Sequence, residues 1–469
     1  MNKYKKLLSD TLSITVGNFA SKIIVFLMMP FYTMALNTSE YGITDLIYTT
    51  TNLLYPIFTL LMSEAVLRFA LDKCCDKKHV FSTALKCHGV GFLLLILLSP
   101  LLRFLPQIYE LRGVFLLYYF FIVLQIIVSQ FAKSLSTKHY AISGFLNTLV
   151  VVILNILFLK VFNLGVMGYL FAYIIGAAIS TIYLALFLKL HRYISFRAPV
   201  EKGLFKQMTR YSVPMIPNSM CWWLNNSLDR YVLLAFYNVS IVGIYSAANK
   251  IPSLMTVFSS IFINAWQLSA IDDFGSEESK NFFGEIYRKY SSLIILLSSV
   301  IIFATKIISS ILLNKRYWAA ADFAQILVFA FIFQAMSAFL GTVFTSSKKT
   351  NTLFVSTLSG GLINLLLNII LIPYFSYYGA AIATAISYII VWIIRYVKSM
   401  KIIKFKTNLK RDLLSYLLIM VEIIFIVTKI PYFTIASLAI IMIIFIINLT
   451  EIKNFFQLKR LKKQDKGCE

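Results

Sequence analysis

Long apolar runs separated by short polar segments make up almost the whole chain. Each run approaches the roughly 20 residues that a helix needs to cross a hydrocarbon core of about 30 Å. The longest polar segments, 189–210 and 271–289, are too short to form a separate domain. The pattern predicts fourteen spans, near residues 11–36, 43–71, 80–105, 113–132, 140–162, 166–188, 211–236, 241–270, 290–313, 319–346, 351–373, 377–397, 412–429 and 432–450.

Composition supports a membrane protein and excludes soluble enzymes. The 469-residue chain is 59% hydrophobic and 14% charged, whereas a soluble domain carries about 25% charged residues. The net charge of +24 comes from 44 basic and 20 acidic residues. These basic residues lie in clusters between apolar runs and not in a separate basic domain, so we expect no nucleic-acid partner.

The distribution of basic residues predicts the orientation of the chain. All the larger clusters fall on the side of the amino terminus, and the opposite loops carry few positive charges. Positive residues accumulate in cytoplasmic loops. Both termini are therefore predicted to lie in the cytoplasm. The clusters are near residues 3–6, 73–78, 189–210, 398–411 and 453–466.

The sequence also predicts an internal duplication of six spans. The segment Asn37–Ile43 resembles Asn238–Ile244, 201 residues later, and Asn155 with Gly168 resembles a second pair near residues 368 and 379. An even number of spans per copy predicts parallel repeats related by a pseudo-two-fold axis along the membrane normal. The expected organisation is an N-terminal lobe at 1–200, a C-terminal lobe at 201–400, and two further spans with a basic tail at 401–469.

Charged side chains inside spans mark a candidate cavity. A charge at the centre of a spanning helix costs at least ~2.5–3.5 kcal/mol, so it is expected to avoid lipid. Lys22, Arg68, Arg230 and Lys250 are the candidate cavity cations. The remaining basic residues within spans lie near span ends and are expected to snorkel toward water; they are Lys86, Lys160, Lys306 and Arg395. The acids are fewer, namely Glu64, Asp229 and Glu422, and this bias favours an anionic substrate.

Two clusters among these residues each leave two interpretations open. Glu64 and Arg68 share one helix face, which fits either a structural ion pair or a cavity role. The segment around Arg230 in the seventh span is the most polar part of any predicted span, because it also contains Asn225, Asn226 and Asp229. They are expected to border the cavity, and hydrogen bonding between helices without substrate contact is the alternative.

Several motifs resemble those of the Wzx-type polysaccharide flippases, within the multidrug/oligosaccharidyl-lipid/polysaccharide exporter superfamily. They are Ser39–Gly42, Pro214-x-x-Pro217, Asp229-Arg230-Tyr231, the run Val242–Lys250 and Gly379–Thr384. The resemblance implies a bacterial inner-membrane protein that moves an undecaprenyl-diphosphate-linked oligosaccharide outward through a cationic lumen. It further implies that Arg230 and Lys250 line this lumen and that Asp229 positions Arg230.

The resemblance implies a role in O-antigen or capsule-type biosynthesis. The implied partners are membrane lipids and a polysaccharide polymerase. The protein is expected to function as a monomer and without a cofactor. Two other functions stay open: a cation-coupled small-molecule antiporter of the same fold, and an integral-membrane polymerase. No phosphate-binding loop of the ATPase type is present in the sequence. The cysteine and histidine spacings match no common zinc pattern, so we expect no metal site.

Overall fold

The computed structural model describes residues 23–72, 75–195, 202–272, 274, 277–347, 349, 351–428 and 432–464. All regular secondary structure in these ranges is helical. Eight of the described helices are long and apolar enough to cross a membrane, and a bent helix pair makes a ninth. The prediction of an all-α polytopic membrane protein is confirmed.

The first half of the chain forms ten main helices. Their bounds are α1 (Met29–Ala35), α2 (Thr38–Phe58), α3 (Met62–Ala70), α4 (Lys77–Leu98), α5 (Arg112–Leu135), α6 (Thr137–Ile156), α7 (Gly165–Phe187), α8 (Lys202–Ser212), α9 (Ile216–Phe236) and α10 (Val239–Ala248).

Six further helices follow. They are α11 (Lys250–Asp272), α12 (Glu277–Leu312), α13 (Ala319–Ser346), α14 (Asn351–Ile402), α15 (Leu409–Thr428) and α16 (Phe433–Gln464). Helix α14 covers two predicted spans. Ser376 has non-helical dihedral angles (φ 50°, ψ −131°) and divides the helix into two parts, one for each span. With α2 and α3 counted as one span and α10 and α11 as another, the helices fit the predicted architecture of about fourteen spans.

The start of α2 is defined by its capping groups. Glu40 donates its backbone N–H to Asn37 Oδ1 (2.9 Å), and Asn37 donates its own N–H to the Glu40 carboxylate (2.8 Å). This reciprocal capping satisfies two helix-end donors. The other end bends by 60° into α3, where Leu60 and Leu61 adopt positive φ angles. The beginning of α2 is thus fixed, and this positions the side chains of its first two turns.

The chain divides into two compact units. The first comprises Met1–Leu234 and Asn238–Ser246, and the second comprises Ala235–Tyr237 and Ala247–Glu469. The first unit contains a hydrophobic core in which Phe81 stacks on Phe131 with 4.2 Å between ring centroids. The predicted lobe limits at residues 200 and 400 stay a prediction.

Candidate functional site

A buried ionic cluster in the first unit centres on Arg230. Its Nε donates to Asp45 Oδ2 at 2.5 Å, and its Nη1 donates to Asp229 Oδ1 at 3.1 Å. Nη1 also donates to the backbone carbonyl of Asn226 at 2.6 Å. The side chains of Arg230, Asp45 and Asp229 are only 10%, 11% and 6% exposed. Helix α9 therefore holds a desolvated guanidinium against a carboxylate of α2.

Helix α10 supplies two hydroxyl groups to the same carboxylates. Tyr245 donates to Asp229 Oδ2, and Ser246 donates to Asp45 Oδ2 at 2.7 Å. The Arg230 guanidinium carbon also lies 5.9 Å from the centroid of the Tyr245 ring. Each carboxylate thus accepts hydrogen bonds from both Arg230 and α10. We call Asp45, Asp229, Arg230, Tyr245 and Ser246 the Arg230 cluster.

The formal charges of the Arg230 cluster do not cancel. Two carboxylates face one guanidinium, so the cluster carries one excess negative charge if both acids are ionised. In this conformation Arg230 is already compensated and is not an unpaired cation facing a cavity. An anion that took the place of the partners of Nε or Nη1 would have to displace a carboxylate.

A second set of hydrogen bonds joins α9 to α2 beside the cluster. The hydroxyl of Tyr231 forms hydrogen bonds with the hydroxyls of Thr50 (2.7 Å) and Thr49 (3.2 Å). Trp223 donates from Nε1 to the Thr49 carbonyl at 2.8 Å. These neutral contacts attach α9 to α2 along about two turns and fix the position of Arg230 relative to Asp45.

Residues that are equivalent in the predicted duplication contact each other. The hydroxyls of Ser39 and Ser240 are 2.5 Å apart, and Ser246 bonds to Asp45; both pairs are separated by 201 residues. Gly42 and Gly243 approach so closely that a Cβ on Gly42 would lie 3.0 Å from the Gly243 nitrogen. Equivalent residues meet in this way where a local two-fold axis relates two segments.

The remaining predicted residues around Arg230 lie on the same helix. Asn225 and Asn226 donate from their side-chain amides to carbonyls four residues earlier, those of Cys221 (2.8 Å) and Trp222 (2.7 Å). Asn225 is buried and Asn226 is exposed. Asn226 contributes its backbone carbonyl to Arg230, so it supports the cluster through the main chain.

The other candidate cations are Lys22, Arg68 and Lys250. Lys22 lies outside the described residues. Lys250 begins α11, in the second unit, and is half-buried. Arg68 is exposed in the last turn of α3, and Glu64 is half-buried in its first turn. No salt bridge joins these two described side chains, so the ion-pair interpretation is not supported.

Two functional assignments from sequence need correction. The intramembrane acids predicted from the sequence do not include Asp45, the acid that bonds Arg230, which lies only two residues inside the second predicted span. Its alignment with Ser246 across the duplication was a signal that could have identified it. Arg395 does not snorkel: it is 5% exposed and donates to Ser356 Oγ, Thr357 Oγ1 and the Ser337 carbonyl at 2.9–3.0 Å.

Sequence comparison identifies relatives in polysaccharide synthesis. The family model described as "Polysaccharide biosynthesis protein" matches residues 7–267. The capsular polysaccharide biosynthesis protein CapF of Staphylococcus aureus is 26% identical over 187 residues, which cover 39% of this chain and 47% of CapF. An uncharacterized membrane protein of Methanocaldococcus jannaschii, MJ1068, is 36% identical over 104 residues, covering 22% of this chain and 20% of that protein. The matched regions thus span less than half of either relative.

Solved structures share the fold over most of the chain. The lipid II flippase MurJ in an inward closed conformation superimposes with a TM-score of 0.72 and 16% identity, covering 95% of this chain and 98% of MurJ. An inward-facing multidrug resistance MATE transporter gives a TM-score of 0.66 and 14% identity, covering 83% of this chain and 95% of the transporter. At these identities the likeness concerns the fold alone.

Proposed function

The chain belongs to the polysaccharide biosynthesis protein family, and from this premise we propose that it is a lipid-linked oligosaccharide flippase. The substrate is an undecaprenyl-diphosphate-linked oligosaccharide, moved from the cytoplasmic to the outer leaflet of the bacterial inner membrane. A diphosphate with its sugars does not cross hydrocarbon unaided, because burying unpaired anions and hydroxyls is prohibitive. The transporter fold supports this role.

The Arg230 cluster is the observation that carries the proposal. Ionised side chains are retained inside membranes mainly where they serve transport or pairing. Asp45 and Asp229 hold Arg230 in place without substrate, and a diphosphate offers the same guanidinium more negative charge and a matching bidentate geometry. We infer that the substrate replaces Asp45 as the partner of Arg230. That exchange would remove the ionic contact between α9 and α2, and we infer that its loss accompanies alternating access to the two sides of the membrane.

The other candidate residues keep their proposed roles. Lys22, Arg68 and Lys250 would complete a cationic cavity for the diphosphate. Glu64 would contribute to the polar lining, together with Asn225 and Asn226 of α9. The termini are proposed to lie in the cytoplasm, which puts the first turns of α2 and the end of α9 toward the outer side. A polysaccharide polymerase is the proposed partner, and the transporter is proposed to act as a monomer.

A cation-coupled antiporter is the second candidate function. The excess of one carboxylate in the Arg230 cluster favours it, because surplus buried negative charge attracts a proton or a metal cation. The MATE-like fold is compatible with this activity. An antiporter would exchange a small organic cation for protons or sodium and would need no lipid-linked sugar.

Proteoliposomes separate these two functions. The purified protein is reconstituted with a polyprenyl-diphosphate-linked oligosaccharide, and flipping is followed by access of an external lectin to the glycan. The wild type should flip the lipid, and Arg230→Ala should reduce the initial rate about tenfold or more, which equals at least ~1.4 kcal/mol. Lys250→Ala should also slow flipping, and Arg230→Lys should restore part of the rate.

Arg112 of α5 provides the matched control. This arginine is exposed and donates to the Tyr109 hydroxyl at 3.1 Å, outside the Arg230 cluster. Arg112→Ala should flip at the wild-type rate. Failure of the wild type to flip the lipid, combined with efflux of a lipophilic cation driven by an imposed proton or sodium gradient, would establish the antiporter instead.

A further inference from the structure

Helices α12, α15 and α16 pack against one another and share a buried polar network near the start of α15. Arg411 donates to Asp412 Oδ1 and to Ser291 Oγ, both at 2.7 Å. Asn448 of α16 donates to Ser415 Oγ at 3.4 Å. Arg288 extends the network through a 3.1 Å ion pair with Glu451. At this level every acid has a basic partner.

An apolar layer follows one turn further along the three helices. Ile295 of α12 lies four residues after Ser291, Ile419 of α15 lies four residues after Ser415, and Ile444 of α16 lies four residues before Asn448. All three isoleucines are 0% exposed. Residues four apart share a helix face, so each isoleucine continues the face that carries the polar network. The layer separates that network from what lies beyond it.

Glu422 lies beyond this isoleucine layer. It is 0% exposed, and its Oε2 accepts a hydrogen bond from Ser299 Oγ at 2.7 Å. Among the described residues its Oε1 has no hydrogen-bond partner. Within the described chain Glu422 forms no salt bridge. This carboxyl group is therefore enclosed with a single neutral hydroxyl as its polar partner.

The neighbouring charges are distant along the helices or already paired. Lys306 is seven residues from Ser299, about 10 Å along α12, and its ammonium lies 4.7 Å from the Phe433 ring centroid. Asp412 is ten residues from Glu422, about 15 Å along α15. The other charged or phenolic side chains described on the helices packed around Glu422 are Lys280, Glu285, Tyr287, Arg288, Lys289 and Tyr290 on α12, Asp322 on α13, Lys410, Arg411 and Tyr416 on α15, and Glu451 on α16.

We propose that Glu422 is a proton-binding site: the carboxyl group carries a proton inside the membrane and receives a hydrogen bond from Ser299. An ionised carboxylate without a counter-ion is costly in this environment. A bound metal cation would need several oxygen ligands, and Ser299 Oγ is the only other oxygen bonded to this group in the described chain. A proton neutralises the charge and requires no further ligand.

The enclosure also determines how this proton exchanges. The isoleucine layer blocks the route to the polar network, and the carboxyl group has no solvent exposure. Water therefore reaches Glu422 when the contact between the helices packed around it opens. The site holds its proton through the closed state and releases it when this contact opens.

Infrared difference spectroscopy of the purified protein in lipid tests the site directly, without a transport substrate. At neutral pH the wild type should show the carbonyl-stretch band of a protonated carboxylic acid. Glu422→Gln should lack this band, and Asp412→Asn, which removes an acid paired with Arg411, should retain it. Ser299→Ala should shift the band to higher frequency, because the carbonyl loses its hydrogen bond. In deuterium oxide the band should shift later than those of solvent-exposed groups.

Three results would overturn the proposal. The first is a wild-type spectrum without a protonated-carboxyl band at neutral pH, which would mean that Glu422 is ionised. The second is a band that persists in Glu422→Gln and therefore belongs to another acid. The third is deuterium exchange of the band as fast as that of exposed groups, which would show that the site is open to water. None of these outcomes bears on whether the protein flips a lipid-linked oligosaccharide.

Discussion

Arg230 and Asp45 lie 185 residues apart in the chain, yet the guanidinium of one donates to the carboxylate of the other at 2.5 Å. The contact joins α9 to α2, and each partner also binds a neighbour: Asp229 for Arg230, and Ser246 for Asp45. An anion that binds Nε or Nη1 of Arg230 must compete with these carboxylates. The strength of the internal pair therefore limits the affinity for an anion.

The variant Asp45→Asn tests this competition. A neutral amide is a weaker acceptor for a guanidinium than a carboxylate, so more of Arg230 becomes available to phosphate. We expect the Kd for a polyprenyl diphosphate to fall about fivefold, measured by thermophoresis in detergent micelles. Glu110→Gln, which removes an exposed acid, should leave the Kd unchanged. An unchanged or increased Kd in Asp45→Asn would mean that Asp45 does not compete with the diphosphate.

The close approach of α2 and α10 predicts a steric effect at Gly243. A Cβ there would lie 1.9 Å from the Thr38 carbonyl oxygen, so the backbones must move apart. We expect Gly243→Ala to destabilise the protein by about 1–3 kcal/mol and to lower its Tm in a thermal melt. Gly144→Ala is the matched control, since a Cβ at this helical glycine meets nothing within 4 Å. Equal Tm values for the two variants would contradict the close contact.

The buried hydrogen bonds of Arg395 predict that its substitution lowers the stability of the protein, which substitution of a snorkelling residue would not do. Its three hydrogen bonds to Ser356, Thr357 and the Ser337 carbonyl use the planar fork of the guanidinium, and a lysine ammonium does not reproduce this geometry. Arg395→Lys should cost about 2 kcal/mol or more, measured as reduced Tm with a thiol-reactive dye. Lys398→Ala, at an exposed position on the same helix, should leave Tm nearly unchanged. A wild-type Tm in Arg395→Lys would indicate that the fork is dispensable.

The charge distribution predicts the membrane orientation. Reporter fusions at Asn163, Tyr237 and Tyr377 should be active outside the cytoplasm, and a fusion at Lys202 should be active inside. The first three positions lie in or beside helix breaks, at the ends of α6, α9 and the first part of α14. The reverse activity at two of the four sites would contradict an even number of spans with cytoplasmic termini.

Hydropathy predicted the helices well because a membrane span is a local property of about 20 residues. Even the break at Ser376 falls between the predicted spans 351–373 and 377–397, since the apolar run is interrupted there by polar and aromatic residues. The predicted spans leave only residues 374–376 between them, and the sequence could not predict which of these residues breaks the helix, because that depends on the dihedral angles of Ser376.

Side-chain partners were harder to predict because they depend on helix rotation and packing. The spacing of Glu64 and Arg68 allows an ion pair as one of two interpretations, but Arg68 is exposed, and no salt bridge joins these two described side chains. The distance of Arg395 from a span end predicts snorkelling, whereas the rotation of its helix points the side chain toward Ser356. Asp45 belongs to a contact between distant segments, which periodicity within one helix does not reveal.

The crossing of Gly42 and Gly243 makes the effects of substitutions at the two positions interdependent. Each glycine is the equivalent of the other, and each would place a Cβ against the backbone of the opposite segment, at 2.3 Å from the Val239 oxygen for Gly42. The displacement that accommodates a methyl group on one glycine also makes room for a methyl group on the other. The double variant should therefore cost less than the two single variants added together, as a double-mutant cycle would measure. At this crossing the free-energy cost of a substitution in one half of the duplication depends on the residue at the equivalent position in the other half.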